Sequence, residues 1–151
     1  MLKAYRGNVP RVDGDAFIAE TAVLIGDVEV GADSSIWYGA VLRGDVAPIK
    51  IGRGSSIQDN AVLHCDKDIP TEIGDNVTVG HGAIVHSAVV GNNTLIGMGA
   101  TVLSGAVIGM NCLIGAGAVV RENAGVAAGA MRGGGAGRVV RAVTDAEICA
   151  M

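Results

Sequence analysis

Three histidines, His64, His81 and His86, are the residues of this chain whose type and spacing could do chemistry. A neutral imidazole binds metal ions, and the same ring carries protons near neutral pH. His81 and His86 sit in "TVGHGAIVHS", five residues apart. Positions i and i+5 do not share a helix face, and an odd offset on a plain strand sends two side chains to opposite sides. Neither element lets this pair grip one ion. Polar residues able to assist such chemistry lie just upstream: Arg43, Asp45, Gln58 and Asp59.

The element that must position these residues has a period of six. Ile18, Leu24, Val30, Ile36 and Leu42 follow one another at that step, and Val12 fits one step earlier. After a break at Pro48 the series resumes at Ile51, Ile57 and Leu63. After a second break it resumes at Ile73, Val79 and Val85, then takes one step of five to Val90 and continues through Ile96, Val102, Ile108, Ile114 and Val120. Four places after each comes a small residue, such as Ala22, Ala40, Val46, Ala61, Ala83 or Cys112, and Gly often follows the aliphatic one directly. A repeat of this length is the mark of a solenoid, in which each unit buries its apolar side only by stacking on the next. One long and one small residue per unit point inward. Three units close a triangular coil of about 18 residues, and successive coils pair at ~4.8 Å.

The three faces can be counted from Ile51, which places Ile57 on the second and Leu63 on the third. His64 follows Leu63, and His86 follows Val85 one coil later. Both then occupy the same outward column, with Cα atoms about 5 Å apart. Tetrahedral zinc with Zn–N bonds near 2.0–2.1 Å needs its nitrogens ~3.3 Å apart, within reach of two leaning imidazoles. His81 falls on the second face and would have to serve a metal on a neighbouring molecule, which a ring of three subunits allows. The same count, carried back across Pro48, puts Arg43 and Gln58 in one outward column of the second face. Asp45 lies two residues beyond Arg43, Asp59 stacks with His81, and Trp37 points outward from the first face.

Composition agrees with a narrow core. Half the residues are hydrophobic, yet aromatics make up 3% and glycines number 24. Gly and β-branched residues at this frequency disfavour helices. No apolar run approaches the ~20 residues of a membrane helix. A net charge of −4 offers no basic stripe for nucleic acid. "MLKAYRGNVP" lacks the apolar core of a signal peptide. Cys65, Cys112 and Cys149 are few and scattered, which suits a reducing cytoplasm better than a disulfide framework. "CDKDIPTEIG" inserts a polar loop over residues 65 to 72, and "APIKIGRG" reads as a shortened unit. The coils are expected to span residues 1–123. Residues 124–151 read as a Gly/Ala-rich connector without repeat, then a short helix with a Thr144/Glu147 capping box.

"LRGDVAPIKIG", "SIQDNAVLH" and "VTVGHGAIVHS" together resemble the γ-class carbonic anhydrase family of hexapeptide-repeat proteins. The resemblance implies an all-β fold, a left-handed parallel β-helix of about six triangular coils with a short C-terminal helical tail. It implies a homotrimer with Zn2+, Fe2+ or Co2+ at each subunit interface. His64 and His86 match the two ligands from one chain, and His81 matches the third, from its neighbour. Gln58 matches the residue that orients the metal-bound hydroxide. Arg43 and Asp45 match an interface pair near the metal, and Asp59 matches an acid that bonds to the arginine across subunits. The implied reaction is attack of metal-bound hydroxide on CO2 to give bicarbonate. The alternatives within the superfamily are a CoA-thioester hydrolase or acyltransferase and a non-catalytic metal-binding trimer. Val46 stands where well-known members of the family carry a glutamate, and Asp66, Asp68 and Glu72 replace a longer acidic loop by location only.

Overall fold

A computed structural model of the chain describes residues 1–135 and 138–150. The backbone forms short parallel strands that stack in register as a β-solenoid. Leu24, Leu42, Leu63, Val85, Val102 and Val120 align as one inward stack. Ile18, Ile36, Ile57, Val79, Ile96 and Ile114 form a second. Val12, Val30, Ile51, Ile73, Val90, Ile108 and Val126 form the third. The small residues Ala22, Ala40, Ala61, Ala83, Ala100 and Ala118 lie between them, fully buried. The volume inside the triangle is thus filled by branched aliphatic residues along the faces and small ones near the corners.

The corners explain a third regularity. The residue just before each small inward position often turns the chain with positive φ, as at Gly39 (φ 70°) and Asn60 (φ 59°). Left-handed backbone is open to Gly and tolerated by Asn and Asp, while most other side chains are disfavoured there.

Three expectations need correction. The stretch around Pro48 is a lengthened unit, not a shortened one. Leu24 and Val30 are six apart, whereas their partners Leu42 and Ile51 are nine apart, so three residues are added within the strand Val41–Ile51. The buried residues of this stretch are Ala47 and Ile49, and Val46 is 41% exposed instead of inward. Removing the false step at Pro48 moves Leu42 onto the third face, where it pairs with Leu63, and Arg43 then pairs with His64. Arg43 is therefore not in a column with Gln58. Trp37 moves as well, since its neighbour Ile36 pairs with Ile57 on the second face.

The third correction concerns the connector. Gly125–Val126 and Ala130–Gly133 continue the parallel stacking for part of a seventh coil. Val126 is 4% exposed, so the Gly/Ala stretch begins as solenoid. Strand Arg138–Ala142 then folds back antiparallel on Ala130–Gly133. Helix Asp145–Ala150 follows, with Glu147 Oε2 accepting from the Thr144 amide at 2.9 Å, the reciprocal half of a capping box. Among the described residues no helix is long and apolar enough to cross a membrane.

Candidate metal centre

His64 ends strand Val62–His64 and His86 ends strand Ile84–His86, and the two residues are direct partners across neighbouring coils. Each follows an inward aliphatic residue, so each ring leaves the third face side by side with the other. Ring centroids are 4.9 Å apart at an interplanar angle of 66°. His64 Nδ1 and His86 Nε2 face each other at 3.0 Å.

For neutral rings, hydrogen-bond accounting assigns the protons. His64 Nε2 is 3.0 Å from Asp45 Oδ1. A carboxylate only accepts, so Nε2 carries the proton and Nδ1 a lone pair. Burial works against the Asp45 charge, but hydrogen bonds from Arg43, at 2.7 Å, and from His64 outweigh it and hold its carboxyl below the usual range. On the other ring, His86 Nδ1 lies 3.0 Å from Ser104 Oγ. The Ser104 hydroxyl donates its single proton to Asp66 Oδ2 at 2.6 Å. Ser104 Oγ therefore accepts from His86 Nδ1–H, and His86 Nε2 is left with a lone pair. Two lone pairs thus face each other at 3.0 Å. They repel unless a cation stands between them, and their separation is close to the ~3.3 Å between ligand nitrogens on tetrahedral zinc. The residues fit a divalent metal.

His81 stands elsewhere. Its Nδ1 is 3.0 Å from Asp59 Oδ2, and its Nε2 has no protein partner among the described residues. It sits on the second face, beside Gln58, Asp59, Ser56 and Trp37, which line a cleft of ≈ 250 Å³. Among the described residues no three His, Cys, Asp or Glu side chains gather as one ligand set. The chain places two candidate ligand nitrogens together and a third apart.

Of the residues singled out from sequence, Arg43, Asp45, His64 and His86 are brought together, and Gln58, Asp59 and His81 form a separate group. Within the chain Asp59 pairs with His81. Asp66 alone of the loop acids reaches a histidine; Glu72 lies on strand Thr71–Ile73, paired with Lys50. The Ser104 link was missed. Its position, one place after Leu103 in the coil beyond His86, is the signal that could have revealed it. Cys65 is buried with its Sγ 3.3 Å from the Pro48 carbonyl, and burial pushes its thiol pKa up, so it is no ready nucleophile. Trp37 is 37% exposed, its indole N–H shared between Ser35 and Ser56 hydroxyls.

Comparison with known proteins points the same way. The family model described as bacterial transferase hexapeptide (six repeats) matches residues 87–122. A probable carbonic anhydrase of Methanocaldococcus jannaschii is 56% identical over 131 residues, covering 87% of this chain and 82% of that protein. Mitochondrial gamma carbonic anhydrase 2 of Arabidopsis thaliana is 46% identical over 145 residues, covering 92% of this chain and 52% of that protein. The crystal structure of a hexapeptide transferase family protein from Anaplasma phagocytophilum superposes with a TM-score of 0.95 at 42% identity, covering 99% of this chain and 88% of that one. The chain spans about half the length of the first plant relatives, 52% and 53%. With the repeat, the stacked histidines and these relatives in agreement, the chain belongs to the γ-class carbonic anhydrase-like family of hexapeptide-repeat proteins.

Proposed function

We propose that this chain forms a metal-dependent homotrimer that hydrates CO2 to bicarbonate at its subunit interfaces. His64 and His86 of one subunit and His81 of the next would hold the metal, with Zn2+, Fe2+ and Co2+ all suited to imidazole donors. When bound, such an ion supplies a Lewis acid that lowers the pKa of a water from 15.7 to about 7. Asp45, braced by Arg43, holds the His64 ring with Nδ1 outward. Asp59 stands 3.0 Å from His81 Nδ1 on the opposite side of the ring from Nε2. Gln58 borders the His81 cleft with an amide that both donates and accepts, so it can orient a small polar molecule there. The observation that carries the reading is His64 Nδ1 and His86 Nε2 facing each other at 3.0 Å while the other nitrogen of each ring is held by Asp45 and Ser104.

The test is elemental analysis of the purified protein, followed on the same sample by stopped-flow CO2 hydration and by acyl-CoA thioester cleavage. About one metal per subunit is expected, since a ring of three has three interfaces. Hydration lost on chelation and regained on reloading supports the reading. Thioester cleavage without hydration favours the hydrolase, and a metal-loaded trimer inert in both assays favours a non-catalytic role.

A further inference from the structure

We propose that Ser104 and Asp66 form a positioning pair that sets the tautomer of His86 and aims its Nε2 at the metal; this rests on the metal reading above. The geometry gives each ligand histidine an acceptor behind it, but not the same one. His64 hydrogen-bonds directly to Asp45 at 3.0 Å, and His81 Nδ1 stands 3.0 Å from Asp59 Oδ2. Behind His86 the nearest carboxylate oxygen, Asp66 Oδ2, is 3.8 Å from Nδ1, too far for a hydrogen bond. Ser104 fills the gap, 3.0 Å from Nδ1 and 2.6 Å from Asp66 Oδ2.

A hydroxyl alone would not fix the tautomer, because serine can donate to Nδ1 as readily as accept from it. Asp66 decides the direction. Its carboxylate can only accept, so it takes the serine proton and leaves Oγ with lone pairs for His86 Nδ1–H. Reversing this chain would put the imidazole proton on Nε2, where it would block the metal. Asp66 is itself anchored through its backbone. Its backbone amide donates to Ser87 Oγ. Ser87 is 1% exposed and its Oγ lies 3.2 Å from the Ile69 carbonyl, so it ties down both ends of the loop turn. The inserted loop between the strands Val62–His64 and Thr71–Ile73 therefore has a purpose in this scheme: it carries a carboxylate across two coils to Ser104, 38 residues away in sequence.

The test uses the whole protein and two readouts. The first is the 15N shift pattern of His86 in metal-free protein, at a pH well above the ordinary imidazole range, which reports the tautomer without any metal. The second is metal affinity by competition with a chromogenic zinc chelator. Wild type should show the Nδ1–H tautomer. Ser104→Ala should give a mixture of tautomers and bind zinc about 10–100-fold more weakly, the usual cost of losing an outer partner of a ligand histidine. Ser104→Thr, which keeps the hydroxyl, should restore both. Asp66→Asn can donate to Ser104 and reverse the chain, so its Nδ1–H share and its affinity should also fall. Wild-type tautomer and affinity in Ser104→Ala or in Asp66→Asn overturn the proposal, as does a loss that Ser104→Thr fails to restore. A wild-type protein that takes up no zinc sinks the metal reading instead, and the tautomer comparison still judges this one.

Discussion

Asp45 does two things at once: it faces His64 Nε2 as a hydrogen-bond acceptor and it takes up the charge of Arg43. Replacing it by alanine removes both. His64 can then flip or change tautomer, and zinc affinity should fall about 10–100-fold, as for other outer partners of metal-bound histidines. Asp45→Asn keeps an acceptor oxygen but can also present its NH2, so its loss should be smaller. The measurement is zinc competition on both variants. Equal, wild-type-like affinities would remove Asp45 from the site. Arg43→Ala should have a lesser effect than Asp45→Ala, since Arg43 acts only through the carboxylate and its own side chain is 45% exposed. At this scale the pairing of His64 with His86 could be read from the period of six alone. The place of Arg43 could not. Three residues added within Val41–Ile51 shift the count, and a Pro at the sixth step looks like an ordinary unit until the strand register exposes it.

The coil imposes its own demands on backbone approach. A Cβ on Gly97 would lie 2.6 Å from the Ala116 nitrogen and 2.7 Å from the Ile114 oxygen, atoms of the next coil that cannot swing aside. Gly97→Ala should therefore destabilise the solenoid by roughly 1–3 kcal/mol, the range for overpacking. Gly125→Ala, where nothing lies within 4 Å, should be neutral or slightly stabilising. Thermal unfolding of the two variants separates them, and equal midpoints would mean that the coils can spread. The tail offers a pH test. The Glu147 carboxyl lies far below its usual range, first through hydrogen bonds from Arg141, at 2.6 and 2.8 Å, then through Thr144. A depressed folded pKa means that these contacts help above the ordinary glutamate range and are lost only as pH falls through the depressed value. The Thr144 amide resonance should hold its position as pH drops through the ordinary range; a midpoint inside that range would show the contacts broken in solution. The capping box was readable because it is local. The seventh coil was not, because Gly and Ala carry too little side chain to show a period, and only Val126 marks it.

As a whole molecule, the chain carries the His64–His86 pair and His81 on different faces, and the proposed sharing of a site between subunits makes its own prediction. The shared-site arrangement needs the third face of one subunit beside the second face of the next. A His64→Ala subunit still brings an intact His81, and a His81→Ala subunit still brings intact His64 and His86. Each variant alone has a damaged ligand set at every interface and should hold little metal. Unfolded together in equal amounts and reassembled, the two should form mixed rings. A ring of either mixed composition has one interface at which a His81→Ala subunit supplies its third face and a His64→Ala subunit its second. With random assembly an interface has that ordered pairing about one time in four, so metal content should recover to about a quarter of wild type. The same fraction should hold whichever metal is loaded, because it counts complete interfaces and not affinity. Recovery of hydration in proportion to the metal would tie the activity to those interfaces. Mixed rings that hold no more metal than either parent would mean that His81 does not complete a neighbour's site, and the stacked pair His64–His86 would then have to find its remaining ligands elsewhere.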